Sequence, residues 1–113
     1  MRLASKLEAK FALYWKGCGG PELATEFPFF VTRKWRFDFA HLQTRTAFEI
    51  EGGIWTNSRH TRGQGFSNDC EKYNTAVLCG WRVFRLTGKM ITTSYVTELI
   101  RNLGPHVSEG HHD

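Results

Sequence analysis

The side chains in this chain best suited to chemistry are carboxylates set among aromatic and aliphatic neighbours. They lie in two short segments, WRFDFA around Asp38 and AFEIEGG around Glu49 and Glu51. Successive side chains of a strand point to opposite faces. Read as strands, the first segment puts Phe37 and Phe39 on one face, and Arg36, Asp38 and Ala40 on the other. The second puts Phe48 and Ile50 on one face, and Ala47, Glu49 and Glu51 on the other. Paired in the natural register, Asp38, Glu49 and Glu51 converge on one patch, with opposed residues roughly 5 Å apart and next neighbours roughly 7 Å. Anions that close repel unless something positive lies between them. A divalent cation, Mg²⁺ or Mn²⁺, with oxygen ligands at about 2.1 Å is the natural occupant. The competing reading is a solvated face on which these acids pair with Arg36, Arg33 or Lys34. It is weakened by the apolar residues on both sides, and by glutamate being a poor strand former. Gly52-Gly53 follows at once, where a bare backbone either admits a phosphate chain or simply turns.

A cation held by Asp38 and Glu49 suits phosphodiester hydrolysis, because it offsets the charge that develops on the phosphate and makes water easier to deprotonate. Arg36, Arg59, Arg62, Lys72, Arg82 and Arg85 are then the candidates for flanking phosphates. His60 titrates near neutral pH and suits a general acid or base, or is a plain surface histidine. Lys72 is either a catalytic cation or a solvated helix lysine beside Asp69 and Asn68. Gln64 either meets phosphate through its amide or faces water. Trp35 and Trp81 fall in strands and read as core, with Phe27, Phe29, Phe30, Phe37, Phe39, Phe48, Val83 and Leu86. Trp55 is open between base stacking and packing. The tail residues His111, His112 and Asp113 offer at most weak metal ligation, and the last residues read as a disordered end.

These groups need elements to position them. Residues 5–15 read as a helix, with Ser5 and Glu8 in capping-box spacing and Leu7, Phe11 and Trp15 recurring at helical intervals. Gly17, Gly19, Gly20 and Pro21 stop it. Residues 26–32, 35–40 and 46–51 read as three strands joined by short connections, hence an antiparallel meander. Residues 55–65 have no period and read as a loop. Ser67 is placed to cap a helix over 67–79 that ends at Gly80. A strand over 81–86 follows that helix, so it is expected to lie parallel to a neighbour through a crossover. A last helix covers 95–103, ahead of a polar tail. The order is αβββαβα, an α/β fold with a mixed four-stranded sheet.

The bulk properties agree with one such domain over residues 1–103. With 113 residues the chain has room for a single core. Nine Phe, four Trp and three Tyr supply large groups to fill it. No apolar run approaches the roughly eighteen residues that span a bilayer, and Lys6, Glu8 and Lys10 break up any leader-like N-terminus. A cytoplasmic protein with no membrane partner is expected. Cys18, Cys70 and Cys79 lack metal-ligand spacing. On one helix Cys70 and Cys79 would stand roughly 13 Å apart, too far to bridge, so all read as buried or half-buried thiols. Lys and Arg number 15 against 11 Asp and Glu, for a pI near 9.2. With several acids gathered at one spot, the remaining surface is more basic than the total suggests, in keeping with a polyanionic partner.

Taken together, RKWRFDFA, FEIEGGIW, RHTRGQGF, DCEKYN and GWRVFRLT resemble the PD-(D/E)xK nuclease superfamily. The similarity is to its compact phage and bacterial endonuclease-like members, which are akin to very-short-patch-repair endonucleases and Holliday-junction resolvases. It covers roughly residues 5–103. It implies a restriction-endonuclease-like core, a bacterial or phage-infected cell, and Asp38 as the superfamily aspartate with Glu49 as its acidic partner. The Ile50 carbonyl would be a further metal ligand, and Glu8 the first-helix glutamate beside the metal. Glu51 stands where the superfamily usually has lysine. It could add a ligand or act as a base toward the attacking water, but cannot stabilise developing negative charge. Lys72 is then the foremost replacement cation, with His60, Arg59 and Arg62 as alternatives. The expected activity is a Mg²⁺- or Mn²⁺-dependent DNA endonuclease selective for branched or mismatched duplex, with single-stranded DNA as a further partner, acting as a monomer or homodimer. The alternatives are a nucleic-acid-binding module of the same fold without catalysis, and an RNA-directed nuclease.

Overall fold

Ser5 begins the first helix as its spacing predicts. Its hydroxyl accepts from the Glu8 amide at 3.0 Å, and its own amide donates to Glu8 Oε1 at 3.2 Å. Two otherwise orphaned helix-end donors are satisfied by one pair of residues. A computed structural model describes residues 5–52 and 64–104. In chain order these residues form α1 (Lys6–Gly17), β1 (Ala24–Pro28), β2 (Arg36–His41), β3 (Thr46–Glu51), α2 (Gln64–Leu78), β4 (Arg82–Thr87) and α3 (Thr93–Arg101). Short 3₁₀ turns at Leu42–Thr44 and Gly88–Met90 are additions that the sequence did not signal. The helix predicted from Ser67 starts three residues earlier, at Gln64.

The sheet is mixed, in the order β1-β2-β3-β4. β1 and β3 flank β2 antiparallel, and β4 lies parallel to β3, as a crossover through α2 requires. Each face of the sheet has its own core. On one, Phe11 and Trp15 of α1 and Val96 and Leu99 of α3 pack on Phe39, Phe48 and Leu86. On the other, Ala76 of α2 and Trp81 pack on Phe37, Ala40 and Ala47.

This division overturns the expectation that Phe37 and Phe39 share a face. The cause lies in β1 and β2 together. Glu26 adopts φ +49, a left-handed conformation inside a strand, and the register places it opposite Asp38. Both strands change faces there while keeping register, so Phe27 and Phe37 join the α2 side and Phe39 the α1 side. The β2–β3 ladder ends at the pair Phe39↔Phe48. Two further expectations need correction. Cys70 is exposed on α2, although Cys18 and Cys79 are half-buried and all are free thiols. Trp35, expected in the core, is half-buried beyond the end of β2. Among the described residues no helix is long and apolar enough to cross a membrane.

Candidate metal centre

Asp38 lies where β2 changes faces, and its carboxylate has two kinds of neighbour. Oδ2 accepts from the Ile50 amide at 2.8 Å. One oxygen each from Glu8, Glu26 and Asp38 lie within 4.8 Å of one another. The three come from different elements, held by three different local causes. Glu8 is on the α1 face that also buries Phe11 and Trp15, one turn toward the N-terminus. Glu26 is aimed by its left-handed backbone, and Asp38 by the register opposite it. A cavity of about 240 Å³ between α1 and the β1–β2 pair is lined by all three acids, with Ala12 and Phe39 among its walls.

The donor set is entirely carboxylate oxygen, which suits a hard divalent cation such as Mg²⁺ or Mn²⁺. Oxygens about 2.1 Å from one ion are separated by about 3 Å when adjacent and about 4.2 Å when opposite, so the three carboxylates would draw together on an ion. The electrostatics agree with the geometry. Burial foremost, then the neighbouring Glu49 and Glu8 charges, push the Asp38 carboxyl up from 3.8 to about 6, against the Ile50 amide and the Lys72 ammonium. Burial and like charge both favour the protonated carboxyl, and a cation beside it would oppose both.

Glu49 lies one residue beyond the last β2–β3 pair and serves a separate cluster. Its Oε2 accepts from the Asp38 amide at 2.8 Å, and its Oε1 accepts from Lys72 Nζ at 2.9 Å and from the Tyr73 hydroxyl at 3.0 Å. Glu51 Oε2 accepts from Arg85 Nε at 2.8 Å and from the Tyr73 hydroxyl at 3.4 Å. Tyr73 bridges the two glutamates, and its own ionisation is pushed well up by burial and by both carboxylates. Arg85 is held more firmly protonated by its bond to Glu51.

The expected convergence of Asp38, Glu49 and Glu51 is therefore divided. Asp38 joins Glu8 and Glu26, while Glu49 and Glu51 join Lys72, Tyr73 and Arg85, and the two groups touch through reciprocal side-chain to main-chain bonds. Lys72 faces Glu49, not Asp69 or Asn68. Ile50 offers its amide to Asp38. Arg36 donates to the Glu26 carbonyl at 3.3 Å, close to the cluster. Arg82 is drawn away to the Thr46 hydroxyl and the Leu103 carbonyl at 2.8 and 2.9 Å, about 10 Å along β4 from Arg85. His60, Arg59, Arg62 and Trp55 lie outside the described residues, as do His111, His112 and Asp113. Gly52 is occupied by the α1 side chain Leu7, whose Cδ1 would stand 3.2 Å from an added Cβ.

Two contributors were missed from sequence. In the sequence Glu26 reads only as the start of a strand, although its offset from Asp38 places it directly across the hairpin once the register is known. Tyr73 stands beside Lys72 in DCEKYN, and adjacency on a helix gives no sign that both reach Glu49. No family model, curated protein or solved structure shows a significant match to the chain.

Proposed function

We propose that the chain is a metal-dependent phosphodiesterase that cuts DNA, with preference for branched or mismatched duplex. The observation that carries this reading is the Glu8, Glu26 and Asp38 cluster, bonded through Asp38 and Ile50 to the Glu49–Lys72 pair. Glu8, Glu26 and Asp38 would hold the cation. When bound, it supplies positive charge against the nonbridging phosphate oxygens and acidifies nearby water.

The remaining work falls to the chain itself. Glu51, in place of the usual motif lysine, removes positive charge that the transition state needs. Arg85 at 2.8 Å from Glu51 and Lys72 at 2.9 Å from Glu49 restore it from β4 and α2. Lys72 is positioned to leave Glu49 for a phosphate oxygen as charge builds there. Tyr73 keeps both glutamates oriented through a neutral hydroxyl, without adding charge. Arg36 lies beside Glu26 for the adjoining phosphate.

One observation favours a second reading, a DNA-binding module without catalysis. Glu49 and Glu51 are both already engaged by cations and by Tyr73, leaving neither poised as a base. A cleavage assay on plasmid, single-stranded and four-way-junction DNA with Mg²⁺, Mn²⁺ or EDTA separates the two. Metal-dependent cutting that Asp38→Ala abolishes supports the nuclease. DNA retention without cutting by either protein supports the binding module.

A further inference from the structure

The hairpin joining β1 to β2 carries residues that the carboxylate site does not use. Phe37 is wholly buried, and Phe29 lies on it with ring centroids 4.1 Å apart and planes at 3°. Trp35 stacks on Phe29 in turn, at 6.0 Å and 15°. The Arg33 guanidinium lies 3.9 Å from the Trp35 ring centre. A column of π faces thus runs from the core to the hairpin tip. Phe30 leans on Trp35 at 5.8 Å, and Val31 beyond it is 100% exposed. Glu71 of α2 pins the tip by accepting from Arg33 at 3.0 and 3.5 Å, which ties it to the helix that bears Lys72.

Phe29, Phe30 and Val31 form the apolar wall of a concavity of about 420 Å³, whose other side is Arg33, Lys34 and Arg36. Its lining includes no acid. That volume lies within the roughly 300–1,000 Å³ of small-ligand pockets. With Phe29 sandwiched in the column, the Phe30 ring is the aromatic wall that can meet a planar ring, and the cationic rim fits an anion; together they fit a nucleotide. Trp35, one residue ahead of β2, lies about 10 Å along that strand from the level of Asp38. At about 3.4 Å per step this is about three nucleotides of the same strand. In a duplex, base faces are covered by their neighbours, whereas an unpaired base offers its face to an aromatic side chain.

We propose that the hairpin pocket receives an unpaired nucleotide of a DNA strand whose backbone continues to the carboxylate cluster. The choice of DNA and the direction of that strand rest on the nuclease reading; the pocket itself does not. It supplies a physical basis for preferring branched or mismatched substrates, which expose unpaired bases.

The test is fluorescence anisotropy with the full chain in EDTA, using labelled dT15, a blunt hairpin duplex and rU15. Wild type is expected to prefer dT15. Phe30→Ala, which removes one stacking face without touching the buried Phe37, is expected to weaken dT15 binding about tenfold. Lys34→Ala is expected to flatten the salt dependence by about 0.7 of a log unit per log unit of salt. Circular dichroism establishes that both variants fold. Equal dT15 affinity for folded Phe30→Ala, or a preference for the duplex, overturns the pocket; tighter binding of rU15 overturns the choice of DNA. Nicking assays on the same preparations keep the two readings apart. Absence of nicking with dT15 binding lost in Phe30→Ala overturns the nuclease and leaves the pocket standing. Metal-dependent nicking with unchanged binding by Phe30→Ala does the reverse.

Discussion

The main-chain N–H of Asp38 donates to the Glu49 carboxylate over 2.8 Å, across the seam where the backbone ladder between β2 and β3 has ended. An acidic side chain takes the place of a carbonyl, and the reciprocal bond from Ile50 to Asp38 does the same. Shape and charge at this seam are therefore coupled. Lys72 adds to the coupling, since its side chain is 16% exposed and that of Glu49 7%.

Glu49→Gln retains an acceptor for the Asp38 amide but removes the charge facing Lys72. Its expected cost is about 1–3 kcal/mol, the range for a charge-assisted hydrogen bond. Glu49→Ala leaves Lys72 and the Asp38 amide without this acceptor, and is expected to cost more, about 3–4 kcal/mol, because one member of a largely buried pair is stranded. Urea unfolding of wild type and both variants checks the order. Equal midpoints would mean that the Glu49–Lys72 pair contributes nothing to stability.

The element order was legible because each element has a local cause. The capping box at Ser5 and Glu8, the glycines after α1 and at Gly80, and the alternation in 46–51 act over a few residues. What was not legible was the change of faces in β1 and β2. It depends on the backbone of Glu26 and on pairing with Asp38, a relationship across a hairpin that no residue type announces. Plain strand alternation groups Asp38 with Glu49 and Glu51 and leaves out Glu26. Lys72 reaching Glu49 and Arg85 reaching Glu51 likewise arise from the crossover of α2 and the parallel pairing of β4. Sequence alone placed both as candidates without giving their partners.

Glu26 makes the cluster testable apart from any motif. With Mn²⁺ at about a hundred times its dissociation constant, a ligand binding only the folded chain adds about 2.7 kcal/mol. For a domain of this size that raises the melting temperature by about 10 °C. EDTA should reverse the rise. Glu26→Gln and Asp38→Asn should each lose most of it, and Glu51→Gln should keep it. A full shift in Glu26→Gln would remove that residue from the metal centre.

Acidity gives a signature of opposite sign with and without the ion. In EDTA, Asp38 has a folded-state pKa of about 6 against 3.8 as its ordinary value. The folded chain therefore holds the proton more tightly. Its contribution to stability is fully present below 3.8 and is lost as the pH rises through about 6. With Mn²⁺ the proton competes with the ion, so the ion-induced rise in melting temperature should grow from pH 5.5 to 7.5. Melting curves across this range with Mn²⁺ and EDTA, on wild type and Asp38→Asn, check both signs. A Mn²⁺ effect independent of pH would show that Asp38 takes no part in binding.

The end of α1 far from Glu8 offers a way to move the cluster without touching a ligand. The Trp15 indole donates to the Pro21 carbonyl at 2.6 Å and packs against Phe48 with ring centroids 5.0 Å apart. Gly20 lies directly on that indole, where an added Cβ would overlap the ring. Gly20→Ala must therefore displace Trp15 or the turn after the helix, at an expected cost of about 1–3 kcal/mol for overpacking. Trp15, Phe11 and Glu8 share one face of α1, so a shift of the helix also carries Glu8 relative to Glu26 and Asp38. Weaker Mn²⁺ binding is expected together with the lower urea midpoint, whereas Gly17→Ala, with nothing within 4 Å of its added Cβ, should change neither. Unchanged stability in Gly20→Ala would show that the turn yields freely. Lost stability with unchanged Mn²⁺ affinity would show that α1 does not set the position of Glu8 in the cluster.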